Sequence, residues 1–342
     1  MIEIPRLILI EKGAINKLPE VLQKLDIKGK ALIIVDEITK DIAGNKIKES
    51  LEGSDFVMIK SSRMEDVETI KKAAEGFDCI IGVGGGKILD TSKMAAMETE
   101  KPFISFPTAP SHDGICSENV SLTVDGKYQS LKARVPFALV ADIDIIKKAP
   151  YRMIASGAAD LVAKYTANFD WKLAKDKQNE EYNDYAAELA LASAKIVKDN
   201  ANDIKNLTDN GIKNLVWGLV ISGISMSMIS SSRPGSGAEH MFSHALDALC
   251  SEKGIKGALH GEQCGFGSIL MGHHQGENWG ETKELLEKIG APTTAKDLGI
   301  EEEILIEALL NAKNIRDRYT ILDEKPLDRE KAREILIKTG VI

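Results

Sequence analysis

Short apolar runs punctuate the first third of the chain, at residues 31–35, 56–59, 79–83 and 103–106. Runs of this length predict strands buried on both faces, as in a parallel sheet covered by helices. Between the second and third runs, residues 64–75 are polar but carry Val67, Ile70 and Ala74 at helical spacing. Residues 87–97, between the third and fourth, are also helix-like. Strand, helix, strand at this rhythm predicts a parallel sheet with right-handed crossovers. Residues 120–140 alternate around Asp125-Gly126 and predict a hairpin added to that sheet.

From about Pro150 the pattern changes. Strand runs vanish, and residues 153–175, 180–198, 211–231, 277–289, 301–312 and 329–339 carry apolar positions three and four apart. These stretches predict helices. We therefore expect two domains, as the length of 342 residues also suggests at about 150 per domain. Residues 1–150 form an α/β dinucleotide-binding domain with a Rossmann-like parallel sheet. Residues 151–342 form an all-α domain for metal and substrate. No internal repeat or low-complexity linker separates them.

Composition narrows the function classes. At 43% hydrophobic the chain has ample core material, which excludes disorder as a description of the whole. No run of about 20 apolar residues is present, so no membrane span is expected. The start, Met1-Ile2-Glu3-Ile4-Pro5-Arg6, lacks the plan of a signal peptide. A net charge of −8 argues against a nucleic-acid coat. Cys79, Cys116, Cys250 and Cys264 form no C-x-x-C pair, which fits a reduced, cytoplasmic protein.

The first chemical signal is Gly82-Val83-Gly84-Gly85-Gly86-Lys87-Ile88-Leu89-Asp90, which follows the third run and opens a helix. Glycines let backbone N–H groups approach phosphate oxygens, and the helix N-terminus and Lys87 add positive charge. This is a diphosphate cradle, although it matches neither the Rossmann fingerprint nor the P-loop, and a plain strand–helix turn would read the same. A second loop, Pro107-Thr108-Ala109-Pro110-Ser111-His112-Asp113-Gly114, follows the fourth run. Ligands of open parallel sheets bind beyond such carboxyl ends. Thr108 and Ser117 offer hydroxyls to a nucleotide, and Asp113 offers a carboxylate to a hydroxyl-bearing substrate; a capped turn is the plainer reading. Asp36 ends an earlier strand at the same edge, where an acid holds a ribose hydroxyl or caps a helix.

The second signal is histidine. Five of six fall between positions 240 and 274, and His240 and His244, four apart, share one helix face. Met241 after His240 rules out the H-E-x-x-H peptidase pattern. Catalytic zinc takes three protein ligands and keeps one position open. His260, opening the next helix, and Asp160, read as lying at an apolar helix start, complete a candidate set; the alternatives are an N-terminal helix carboxylate facing water for Asp160, and solvent-facing or satisfied core imidazoles for the histidines. His273-His274 reads as a solvated helix end.

Together these stretches, with Gly157-Ala158-Ala159-Asp160 and His260-Gly261-Glu262, resemble the archaeal-type sn-glycerol-1-phosphate dehydrogenases. That family is related to glycerol dehydrogenase, iron-type alcohol dehydrogenases and dehydroquinate synthase. The motifs spread over about half the chain, and the S-H-D-G loop is the most specific. The resemblance implies a dehydroquinate synthase-like architecture. It implies reversible NAD(P)H-dependent reduction of dihydroxyacetone phosphate to sn-glycerol 1-phosphate, the backbone of archaeal phospholipids. It implies Asp160, His240 and His260 as ligands of one Zn2+ per subunit, with Fe2+ not excluded. Asp113 and His244 are implied as catalytic groups, and Asp113, Asp160 and His244 as substrate contacts. Asp36, Gly84, Gly85, Gly86, Lys87, Asp90, Thr108, Ser111 and Ser117 are implied as cofactor contacts. A homo-oligomer is also expected. The 20-residue separation of His240 and His260 exceeds what the family suggests, so His240 and His244 both stand as possible ligands. Arg233 and Lys164 are guesses for the substrate phosphate. A zinc-dependent glycerol dehydrogenase, or a non-catalytic nucleotide- and metal-binding sensor, is the alternative reading.

Overall fold

The computed structural model describes residues 2–342, apart from the side chains of Lys127 and Tyr128. The chain divides into two compact units, Met1–Pro150 and Tyr151–Ile342.

The first unit is built on a six-stranded parallel sheet of β1 (Leu7–Glu11), β2 (Ala31–Val35), β3 (Asp55–Met58), β4 (Cys79–Gly84), β5 (Phe103–Pro107) and β8 (Ala138–Asp142). Their order is β1-β8-β5-β4-β2-β3. Strands β2, β4, β5 and β8 are buried along their whole length, which is why their sequences are apolar apart from Ser105 and Asp142. The run at 56–59 was expected to be buried too, but β3 is a sheet edge with both ends exposed. Strand β1 was not foreseen, although residues 7–10 are apolar throughout; at the sheet edge it is mostly half-buried.

The hairpin expected at 120–140 needs correcting. Strands β6 (Asn119–Val124) and β7 (Lys127–Lys132) pair with each other in a separate two-stranded sheet. The remainder of that stretch becomes β8, inserted in the main sheet between β1 and β5. What anchors the hairpin is a buried cation. Lys93, inside the Gly86–Glu98 helix, donates to the carbonyls of Gly114 and Ser117, both at 2.8 Å, and of Asn119 at 3.0 Å. All three ammonium protons are thereby satisfied, as a buried lysine requires.

The second unit is helical throughout. The stretch read as one helix at 153–175 is two, Tyr151–Val162 and Lys164–Gln178, joined at Ala163. Asp160 consequently lies in the last turn of the first helix, not at a helix start, and it is fully buried. The Asp209–Ile229 helix is, at 21 residues, long and apolar enough to span a membrane by length and composition, contrary to expectation. More than half of it is buried against its neighbours, chiefly the Asp184–Lys205 helix, as a core helix would be.

One helix pair sets the geometry of this unit. Tyr151–Val162 lies against His260–Gln275. A Cβ at Gly261 would stand 2.0 Å from the Ser156 carbonyl oxygen, and one at Gly265 would stand 2.8 Å from the Ala159 Cβ. Only glycine permits this approach. Arg152 locks it with a two-pronged ion pair, Nε to Glu262 Oε1 at 2.6 Å and Nη2 to Oε2 at 2.7 Å.

Gly261→Ala should therefore force the two helices apart. We expect a loss of about 2 kcal/mol in urea unfolding, the scale of core overpacking; an unchanged midpoint would show that the contact is not tight.

Candidate metal centre and dinucleotide loop

The close helix pair brings chemistry together. Asp160 from the first helix, His260 and Cys264 from the second, and His240 from the Ala238–Lys253 helix place donor atoms within 4.8 Å of one another. All are buried except His260, which is half-buried. The His240 Nε2 is 3.5 Å from Asp160 Oδ1, and the Cys264 Sγ is 3.5 Å from His260 Nε2. A buried carboxylate, two imidazoles and a thiol are the donor types of a transition-metal site.

The surrounding residues prepare these donors. Burial opposes ionisation of Asp160, but Lys164 Nζ at 3.0 Å and His240 hold the carboxyl well below its usual range. The His240 Nδ1 lies 2.7 Å from Glu239 Oε1. That carboxylate also accepts from the Gly237 N–H at 2.6 Å and, through Oε2, from Thr166 Oγ1 at 3.0 Å. A carboxylate on Nδ1 fixes the ring and leaves Nε2 directed at the cluster, as behind metal-bound histidines. Glu239 is itself set by the start of its helix, where the Asp170 carboxylate accepts from the Ala238 N–H at 2.7 Å. Burial and the adjacent Glu239 push Asp170 up to about 7.

His244 lies beside the donor cluster. It faces the same group, with its ring centroid 5.7 Å from that of His260, but it is outside the donor cluster. Arg316 Nη2 donates to its Nε2 at 3.0 Å. Burial and Arg316 push this imidazole down to about 3, so it is neutral. The two guesses for a phosphate contact are corrected. Arg233 is buried and pairs through both prongs with Glu180, its Nη1 donating to the Tyr319 carbonyl at 2.9 Å. Lys164 is committed to Asp160 and to the Gly235 carbonyl at 3.2 Å.

Glu239 and Cys264 were not foreseen as site residues. Cys264 follows His260 by four, the same one-face spacing that singled out His240 and His244. No sequence signal marks Glu239. His273 and His274 sit half-buried in the last turn of their helix, His274 Nε2 2.7 Å from the Lys325 carbonyl.

In the first unit, Asp36 follows β2, Gly84 ends β4 with Gly85 and Gly86 after it, and Thr108, Ser111, Asp113 and Ser117 follow β5. The three strands are adjacent and parallel, so these loops share one sheet edge. Strand order reverses between β2 and β4, the place where open sheets bind ligands. Gly85 caps the Gly86–Glu98 helix, and a Cβ there would meet nothing within 4 Å. Open space over a helix N-terminus suits a diphosphate. Gly86 has a different reason, since its Cβ would stand 2.2 Å from His112 Nε2, so the S-H-D-G loop closes on the glycine loop. The Thr108 N–H donates to the Gly84 carbonyl at 3.0 Å, joining the loops again.

Other cofactor-edge residues have internal duties. Asp36 is a helix cap, its Oδ1 accepting from the Thr39 N–H at 2.8 Å, while Lys87 Nζ lies 3.1 Å from Oδ2. Despite partial burial, those two contacts hold the carboxyl below its usual range. Asp90 points inward, accepts from the Ser121 N–H at 3.0 Å and is raised by burial. Ser117 is buried, its carbonyl taken by Lys93. Gly85, Gly86 and Lys87 are half-buried, as are Ser111 and Asp113.

Comparison with known proteins places this architecture. Residues 9–150 match the family model described as iron-containing alcohol dehydrogenase. The chain is 45% identical to a glycerol-1-phosphate dehydrogenase (NAD(P)+) of Methanosarcina acetivorans, covering 94% of this chain and 91% of that protein. It is 44% identical to the protein of the same name from Thermococcus kodakarensis, covering 100% and 98%. Among solved structures, a probable glycerol dehydrogenase from Sinorhizobium meliloti superposes with a TM-score of 0.82 at 21% identity, covering 99% and 98%. Glycerol dehydrogenase from Schizosaccharomyces pombe gives 0.80 at 20% identity, covering 99% and 90%. These structures share the fold, while the near full-length likeness to the archaeal proteins goes further: this chain belongs to the glycerol-1-phosphate dehydrogenase family.

Proposed function

We propose that the protein catalyses the reversible NAD(P)H-dependent reduction of dihydroxyacetone phosphate to sn-glycerol 1-phosphate. The observation that carries this reading is the convergence of Asp160, His240 and His260 in a chain of that family. Asp160, His240 and His260 would hold one divalent ion, with Cys264 within reach. The donors suit Zn2+ or Fe2+, and the nearby thiol favours the softer Zn2+. When bound, the ion supplies Lewis-acid polarisation of a carbonyl, and the dinucleotide supplies hydride.

The chain's own residues do the rest. Gly85 and the following helix N-terminus would receive the dinucleotide diphosphate, with Lys87 neutralising it. Thr108 and Ser111, on the neighbouring loop, would line the nucleotide. Asp113 would accept from a substrate hydroxyl. His244, neutral and with its Nε2 taken by Arg316, would orient a second hydroxyl, and the proton that the reduced carbonyl oxygen needs would come from solvent. Glu239 keeps the His240 ring aimed, so less ordering remains for substrate binding.

The direct test follows NADPH absorbance with dihydroxyacetone phosphate, then offers the product to an enzyme specific for sn-glycerol 3-phosphate. Turnover with a product that enzyme refuses supports the reading. Oxidation of NADPH with dihydroxyacetone alone points instead to a glycerol dehydrogenase. Asp160→Asn should lower bound metal below a tenth of wild type by elemental analysis and abolish turnover. NADPH should still quench its fluorescence; an active, metal-free variant would refute the ligand assignment. Glu239→Gln should weaken metal binding about 10–100-fold in chelator competition. Wild-type metal affinity in that variant would leave Glu239 without an orienting role.

A further inference from the structure

Two guanidiniums beside the metal centre carry positive charge that the protein does not neutralise. Among the described residues Arg316 makes one hydrogen bond, donating from Nη2 to Nε2 of His244 at 3.0 Å. Arg318 donates from Nη1 to the Ser236 carbonyl at 2.5 Å and from Nη2 to Ser232 Oγ at 2.8 Å, both uncharged acceptors. Neither has a carboxylate within ion-pair distance among the described residues. The acids that Arg318 feels, Glu180 and Glu239, are already paired with Arg233 and His240. The other cations near the site are committed: Lys164 to Asp160, Arg152 to Glu262 and Arg233 to Glu180.

Such an arrangement is costly. Burial and mutual repulsion push Arg318 down to about 9, and burial lowers Arg316 as well. A protected cation without a counter-ion is retained where a ligand brings the anion. We propose that Arg316 receives the phosphate of the three-carbon substrate and sets the preference for a phosphorylated over an unphosphorylated triose. This rests on the dehydrogenase reading above and names its specificity residue. Three features carry it. Arg316 keeps four of the five N–H donors of a guanidinium unspent on protein, in the planar fork that matches a phosphate. Its position is one imidazole away from the metal cluster, through His244, whose ring adjoins that of His260. Arg318 sits behind it as a second charge and pins the 232–236 loop. Arg318 is a positioning residue here, since its donors are spent on that loop.

The test compares wild type, Arg316→Gln and Arg316→Lys, all metal-loaded, with dihydroxyacetone phosphate and with dihydroxyacetone. Arg316→Gln should raise KM for the phosphorylated substrate on the order of 100-fold, as expected for a lost charge-assisted pair. Its kcat/KM for dihydroxyacetone should fall at least about tenfold less than that for dihydroxyacetone phosphate, so the preference for the phosphorylated triose drops; the lysine variant, with charge but no fork, should fall between. Equal losses with both substrates would mean that Arg316 acts only through His244, and would overturn the proposal. So would an unchanged KM for the phosphorylated substrate.

A second readout does not depend on turnover. Inorganic phosphate should raise the melting temperature of wild type and not that of Arg316→Gln. If wild type fails to reduce dihydroxyacetone phosphate, the dehydrogenase reading is what fails, while the phosphate shift still reports on Arg316. Should the glutamine variant not fold by circular dichroism, the lysine variant decides. A rise of at least fivefold in KM confined to the phosphorylated substrate supports the role, and a rise shared by both substrates refutes it.

Discussion

The close approach of Gly261 to the Ser156 carbonyl oxygen is the constraint on which the cluster of metal-type donors depends. Two helices that met through ordinary side chains would lie 8–10 Å apart, axis to axis. Here the absence of a Cβ lets one backbone rest on the other. Asp160, four residues beyond Ser156, then falls beside His260 and Cys264, which begin the partner helix. The Arg152–Glu262 pair holds the same interface from its outer side. Glycine in a helix costs about 1 kcal/mol relative to alanine, so the sequence tolerates a local penalty to obtain a geometry.

Around that contact the protein balances buried charge by halves. Asp160 is matched by Lys164, and Glu239 by His240. Arg233 takes Glu180, and Asp170 is shared among two backbone N–H groups and Gln275. Each pairing removes a group from the list of possible substrate contacts. What stays uncompensated, Arg316 and Arg318, is thereby conspicuous. The first unit follows the same logic with Lys93, whose ammonium is spent on three carbonyls and organises the loop that carries Asp113.

Much of this was legible in the chain. Strands buried on both faces must be apolar throughout, so β2, β4 and β5 announce themselves, and the change of texture at Pro150 follows from the end of such runs. Strands β1 and β3 lie at the sheet edges, where burial is partial although their runs are apolar, so the sequence pattern does not tell an edge strand from a central one. The extent of the hairpin was misjudged because alternation over 120–140 does not reveal where one sheet ends and another begins. Asp160, His240 and His260 stood out as polar groups in apolar or small-residue settings. Cys264 did not, because a lone cysteine among apolar residues reads as core.

What the sequence by itself determined is therefore the alternation that makes a parallel sheet, the glycines that open a helix N-terminus, and the set of donor types available. Local spacing carries that information, since strand and helix periods are short-range properties. The tertiary structure alone decided which histidine joins the donor cluster, which carboxylate orients it, and which cations are already neutralised. Those outcomes turn on contacts between residues as distant in the chain as Asp160 and Cys264, or His244 and Arg316. Coulomb energy and desolvation depend on separations in space, and no pattern along the chain encodes them.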